Sequence, residues 1–162
     1  MNLTWPELGI PDDCHPKIRS LAEYWLRICP ENSIPGRQHF DPLDIWDLVS
    51  NVWIVDVLGA PSRFRYRVVG TKVVEYLGRD PTGKMMDEVF PHFSETYTSR
   101  HLLEVVAEGR PRWRRGTPTL RYDKDFKLVE QVSLPLAGDG KTPDMVLNLT
   151  EFWQSTDTQT EG

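Results

Sequence analysis

Apolar positions along the chain follow two rhythms. From Pro16 to Cys29, the residues Ile18, Leu21, Ala22, Trp25 and Ile28 recur at the three- and four-residue steps of an amphipathic helix, which Pro30 ends. Asp41-Pro42-Leu43-Asp44 then offers an N-cap acceptor, a proline at the first helical position and an acid near the positive end of the helix dipole. Together they predict a short second helix from about Pro42 to Val49. The rhythm changes at Asn51. NVWIVDVLG (51–59) is β-branched and aromatic, and RFRYRVVG (63–70) alternates Arg63, Arg65 and Arg67 with Phe64, Tyr66 and Val68. The pair predicts a hairpin whose second strand has one cationic, wet face and one apolar face. Only Asp56 interrupts the apolar first strand, which predicts cover on both faces, with the N-terminal helix over the outer one.

Helical spacing returns with Val73, Val74 and Leu77, closed by Gly78. Asp80-Pro81-Thr82-Gly83 reads as a turn and MMDEVFP (85–91) as a short helix stopped by proline. From His92 to Glu108, the positions Phe93, Tyr97, Leu102, Val105 and Val106 predict a longer helix ending at Gly109. Three strands follow, Pro111 to Tyr122, Lys127 to Leu136 and Asp144 to Phe152, separated by Asp123-Lys124-Asp125 and Gly138-Asp139-Gly140-Lys141. They predict an antiparallel meander. The fold class is α+β, in one domain: a helical cap over residues 1–50, a core over 51–153 and a frayed polar tail over 154–162.

Composition narrows the reading by exclusion. A chain of 162 residues affords one core, and 39% apolar with 27% charged residues is the usage of a folded chain. The net charge of −5 gives no overall pull toward nucleic acid or anionic lipid, so any basic patch is local. No apolar stretch approaches the roughly 20 residues of a membrane helix. The start MNLTWPELGIPDD lacks the basic opening and apolar run of a signal peptide, so a cytoplasmic location is expected. In that compartment Cys14 and Cys29 read as reduced structural thiols.

The order of elements, together with VVGTKVVEYLGRDPTGKMMDEVF (68–90) and the helix end Ala107-Glu108-Gly109, resembles the PAS domain. That resemblance implies a five-stranded antiparallel sheet with short helices on one face, an N-terminal helical cap and a small pocket. Tyr24-Trp25, Pro35-Gly36-Arg37, Phe40-Asp41-Pro42, Val55-Asp56-Val57 and the stretch from Arg63 to Thr71 are similar to a group of small bacterial stand-alone PAS-like proteins of mostly unassigned function, over about residues 20 to 152. It implies a sensory or adaptor module that binds a small ligand, a protein partner or both, with no catalysis. Because the chain carries no output domain, its readout is expected to be an unidentified signalling protein.

The resemblance also directs attention to cofactors. PAS domains that form a photoactive flavin adduct present a cysteine just after the Gly-Lys step. Here Gly83-Lys84 is followed by Met85 and Met86, whose thioethers supply no thiolate, so that chemistry is not expected. Haem-binding members use a histidine on the long helix; His101 is the better placed of His92 and His101, but the family position falls nearer Thr98, and haem is not expected either. Cys14, Cys29, His15 and His39 lack the spacing of a zinc site.

With the arginine face turned to water, the expected pocket lining is Trp53, Val55, Phe64, Tyr66, Met85, Met86, Phe90, His101, Val105, Trp113, Leu134, Leu147 and Asn148. Leu21, Tyr24 and Trp25 on an exposed N-terminal helix, with Arg63, Arg65, Arg67, Arg112 and Arg114, form the expected partner surface, and the helix a possible homodimer seam. The run from Arg110 to Arg115 could grip phosphates around Trp113, but sheet edges carry arginine as protection against pairing, and contact with an acidic protein is the preferred reading over nucleic acid. The enzymatic alternative is a small acid–base catalyst built on Asp13 with His15 or Glu88 with His92; no nucleophile elbow or phosphate loop accompanies them.

Overall fold

A computed structural model describes residues 3–118, 120 and 128–153. The predicted turn at Asp123-Lys124-Asp125 and the polar tail of 154–162 lie outside the described residues. Five strands, β1 (Val52–Leu58), β2 (Arg63–Val69), β3 (Arg112–Gly116), β4 (Leu128–Leu136) and β5 (Met145–Trp153), form one sheet in the order β2-β1-β5-β4-β3. Every neighbouring pair is antiparallel. Among the described residues four α-helices accompany it: α1 (Pro16–Ile28), α2 (Thr71–Leu77), α3 (Met86–Val89) and α4 (Tyr97–Glu108). Among the described residues no helix is long and apolar enough to cross a membrane.

Two predicted helices are shorter or tighter than their apolar spacing implied. Asp41 caps Leu43 N–H at 3.0 Å as expected, yet the residues it caps form a 3-10 turn, Pro42–Ile45, with a second turn at Val49–Asn51. The helix predicted from His92 divides into a 3-10 turn, Phe93–Glu95, and α4, because the Thr96 hydroxyl accepts from Ser99 N–H at 3.1 Å and so starts a new helix. Among the glycines, Gly78 and Gly109 end α2 and α4 in the left-handed region, where a Cβ is costly.

The sheet separates two cores. On its outer face α1 lays Ile18, Leu21 and Trp25 against Val132, Leu134, Leu147 and Leu149. The Trp25 indole donates to the Pro135 carbonyl at 2.9 Å, satisfying its one polar atom in a buried position. Leu21, Tyr24 and Trp25, expected on an exposed partner surface, are therefore buried; Trp25 is 1% exposed. The physical reason is that β4 and β5 carry apolar residues on both faces, and the stripe of α1 is what covers the outer one. The same burial leaves these residues no exposed surface from which to build a homodimer seam. Tyr24 further pins the following turn, donating to Asp44 Oδ2 and accepting from Asp41 N–H, both at 3.0 Å.

The inner face carries α2, α3 and α4 over Trp53, Val55, Phe64, Tyr66, Val146 and Phe152. β1 is covered on both sides, as its near-continuous apolar run predicts. β2 keeps Phe64 and Tyr66 buried and Arg63 and Arg67 exposed, and an irregularity opposite Ile54 and Val55 interrupts its register beside Arg67.

Candidate functional site

Antiparallel register places Trp53, Asn148 and Ser133 side by side across β1, β5 and β4, with Thr150 and Gln131 in the next row. Cross-strand partners share a face, so these polar groups all point to the inner side, beneath α4. From α4, His101 brings Nε2 to 3.1 Å from Ser133 Oγ. Leu102 and Val105 of the same helix are fully buried and seat it on the sheet.

The bonds run in one direction around a ring. The Trp53 indole N–H donates to Thr150 Oγ1 at 2.9 Å, Thr150 donates to Gln131 Oε1 at 3.3 Å, and Gln131 Nε2 donates to Ser133 Oγ at 3.1 Å. Ser133 donates to Asn148 Oδ1 at 2.5 Å, and Asn148 Nδ2 returns to the carbonyls of Trp53 at 3.4 Å and Val146 at 3.2 Å. A serine has one hydrogen, and this one is given to Asn148. Ser133 Oγ must then accept from His101, which fixes the neutral tautomer with its proton on Nε2 and the lone pair on Nδ1. Burial, with Arg112 and Arg114 nearby, lowers the His101 pKa from 6.5 to about 4.

A family model for the PAS domain matches residues 14–150. The chain belongs to the PAS domain family. The matched span includes α1. No curated protein matches the chain. PAS domains in general are sensory and ligand-binding modules, and the inner side of the sheet is the part of this one where polar groups converge between apolar walls.

Of the residues expected to line the PAS pocket, Trp53, Val55, Phe64, Tyr66, Met86, Phe90 and Val105 do share the inner core, with His101 and Asn148 among them. Three do not. Leu134, Leu147 and Trp113 lie on the outer face, packed with α1. Strand alternation decides this: Leu147 precedes Asn148, so the two cannot point to the same side. Met85 is half-buried at the margin, bridging backbone to Arg65. Ser133, Gln131 and Thr150 went unread, although the alternation Gln131-Val132-Ser133 and Asn148-Leu149-Thr150 places polar residues on one face of both strands.

The arginines divide rather than forming a single patch. Arg112 and Arg114 point to the inner side: Arg112 pairs with Glu104 and Glu108 of α4, both at 2.9 Å, and Arg114 stacks over Tyr97 at 4.9 Å. Trp113 and Arg115 point outward to the fully buried Glu130, at 2.9 Å and 3.2 Å, and Glu130 also accepts from His15 N–H at 2.8 Å. Arg63 forms a two-bonded pair with Asp87, both at 2.7 Å, which holds the Asp87 carboxyl below its usual range. Arg65 and Arg67 share Asp56 at 3.1 Å and 3.3 Å.

The acid–histidine pairs weighed for catalysis are otherwise engaged. His15 Nδ1 accepts from Lys17 N–H at 3.1 Å to cap α1, Asp13 faces Arg115, and His92 lies 3.8 Å from Glu95 with both exposed. Haem fits poorly at His101, because the nitrogen bonded to Ser133 is held against the sheet and the residue is 3% exposed. Met85 and Met86 offer no thiol to a flavin. Cys14 and Cys29 are free, burial raises both thiols, that of Cys29 to about 11, and neither adjoins the ring. Among the described residues no group of three or more His, Cys, Asp or Glu could hold a metal ion.

Proposed function

We propose that this PAS domain senses a small polar ligand on the inner face of its sheet, where His101 joins the hydrogen-bonded ring, and passes the change to a protein partner. The ring supports the reading. Each of its buried hydroxyls and amides costs about 1–3 kcal/mol if left unpaired, so an apolar core would be the cheaper way to fill this space. Its oriented donors and acceptors are bonded to one another between aromatic walls, and a ligand that exchanges for one of these bonds must match their directions, which is how a ligand site selects its occupant.

The route outward begins at one bond. A ligand hydroxyl or carboxamide competes for the His101 N–H and for Ser133 Oγ, and either exchange loosens α4 from β4. Glu104 and Glu108 tie α4 to Arg112 on the edge strand β3, so movement of the helix reaches the margin of the sheet. The partner surface is assigned to Arg63, Arg65 and Arg67, whose guanidinium groups are held in position by Asp87 and Asp56 for carboxylates of an acidic protein.

The test is to purify the protein, record its absorption spectrum, identify by mass spectrometry what denaturation releases, and run a thermal-shift panel of polar metabolites. A released molecule or a panel member that raises the melting temperature of the native protein, and does so less in Asn148→Leu, is the expected result. No released molecule and no shift across the panel would leave protein interaction alone as the function.

A further inference from the structure

A cavity lies on the outer side of the sheet. It has a volume of about 110 Å³ and opens between the turns of the cap and the outer face of β1 and β2. Its walls are apolar: Phe40 and Ile45 from the cap, Val52 and Ile54 from β1, Leu136 and Met145 from the ends of β4 and β5. The charged residues lining it are Arg37 and Arg67. The cavity has nothing to do with the His101 ring, which faces the other way.

From this geometry we propose that the cavity is a binding site for a short aliphatic carboxylic acid, its chain between the cap and the sheet and its carboxylate at the two arginines. Charge selects the anion. Asp56 faces the guanidinium groups of both Arg65 and Arg67, so one of those two positive charges has no counterpart in that cluster. Arg37 is exposed and makes no side-chain ion pair or hydrogen bond among the described residues. The acids of the adjoining turn point elsewhere: Asp41 caps Leu43 N–H, and Asp44 accepts from Tyr24. A carboxylate is a group that guanidinium forks hold by paired hydrogen bonds, and the apolar walls select an acid that carries an aliphatic chain.

Volume selects the chain. An engineered apolar cavity of about 150 Å³ takes benzene. A space of about 110 Å³ that opens at the surface holds the tail of a short chain of about five or six carbons while its carboxylate stays at the rim, where Arg37 and Arg67 are exposed. Since one wall belongs to the cap and the other to β1 and β2, such a ligand would fasten the cap to the core. Val68, 46% exposed, stands on the lining where a larger side chain would occupy the space without disturbing either core.

Hexanoate and its uncharged counterpart hexanamide are the probes, titrated into the whole protein and followed by amide-resolved NMR. Saturable hexanoate shifts at Ile54 and Val68, with about tenfold weaker binding of hexanamide, are expected. Arg37→Gln is expected to weaken hexanoate by about tenfold and Val68→Trp to abolish its binding, while Arg100→Gln, an equal loss of charge on exposed α4 surface, leaves it unchanged. Shifts confined to the inner residues Ser133 and Asn148, equal affinity for acid and amide, or hexanoate binding unaltered by both Arg37→Gln and Val68→Trp would each overturn the proposal.

Discussion

His101 makes the ring sensitive to acid in a way its sequence position does not reveal. Its pKa is about 4 in the folded chain against 6.5 when unperturbed, so below about pH 6.5 the unfolded state takes up a proton that the folded state refuses. Stability from this residue is complete above that value and lost as the pH falls toward 4. The arithmetic gives a loss of about 2 kcal/mol between pH 7 and pH 5. Urea denaturation at the two pH values should show that loss in the native protein and little of it in His101→Gln; equal losses in both would place the proton elsewhere. As a candidate, His101 was legible from its place on the longest predicted helix of the core. Its neutral tautomer was not, because it depends on Ser133, 32 residues away, and on the Asn148 that Ser133 donates to, 15 residues further on, a pair that only strand register defines.

Among the elements, α1 shows how a pattern can be read correctly and assigned to the wrong surroundings. The stripe Ile18, Leu21, Trp25 was plain, but whether it faced a second copy or its own sheet depended on β4 and β5 being covered on both sides. Trp25→Ala should therefore cost about 3–5 kcal/mol in urea denaturation of the monomer, independent of protein concentration. A concentration-dependent effect would instead favour the dimer seam. The Val69-Gly70-Thr71 junction was legible as a motif, and the structure supplies its reason: a Cβ at Gly70 would run into the carbonyl oxygens of Val49 and Ser50, where the cap joins β1. Gly70→Ala is expected to destabilise by about 1–3 kcal/mol, read from the denaturation midpoint, whereas a change to alanine at exposed positions such as Ser94 should have little effect.

Over the whole molecule, the two-sided sheet governs what each face can do. Its outer face is closed by the cap, its inner face carries the polar ring, and the edge strands β2 and β3 hold arginines paired to acids from neighbouring elements. The fold could be read from the alternation of apolar residues and the turn signals, since strand order in a PAS domain follows from a short hairpin, a helical crossover and a meander. The site could be read only in part, because a list of apolar residues from five strands mixes both faces unless parity is followed along each strand, as Leu134, Leu147 and Trp113 demonstrate.

The most direct test of the sensing account is an amide-resolved NMR titration with the molecule released from the purified protein or, failing one, the strongest thermal-shift binder. The account predicts saturable shifts centred on Ser133, Asn148, Thr150 and His101, reduced in Asn148→Leu. Shifts that avoid those four residues, or no saturable binder from either source, would contradict it.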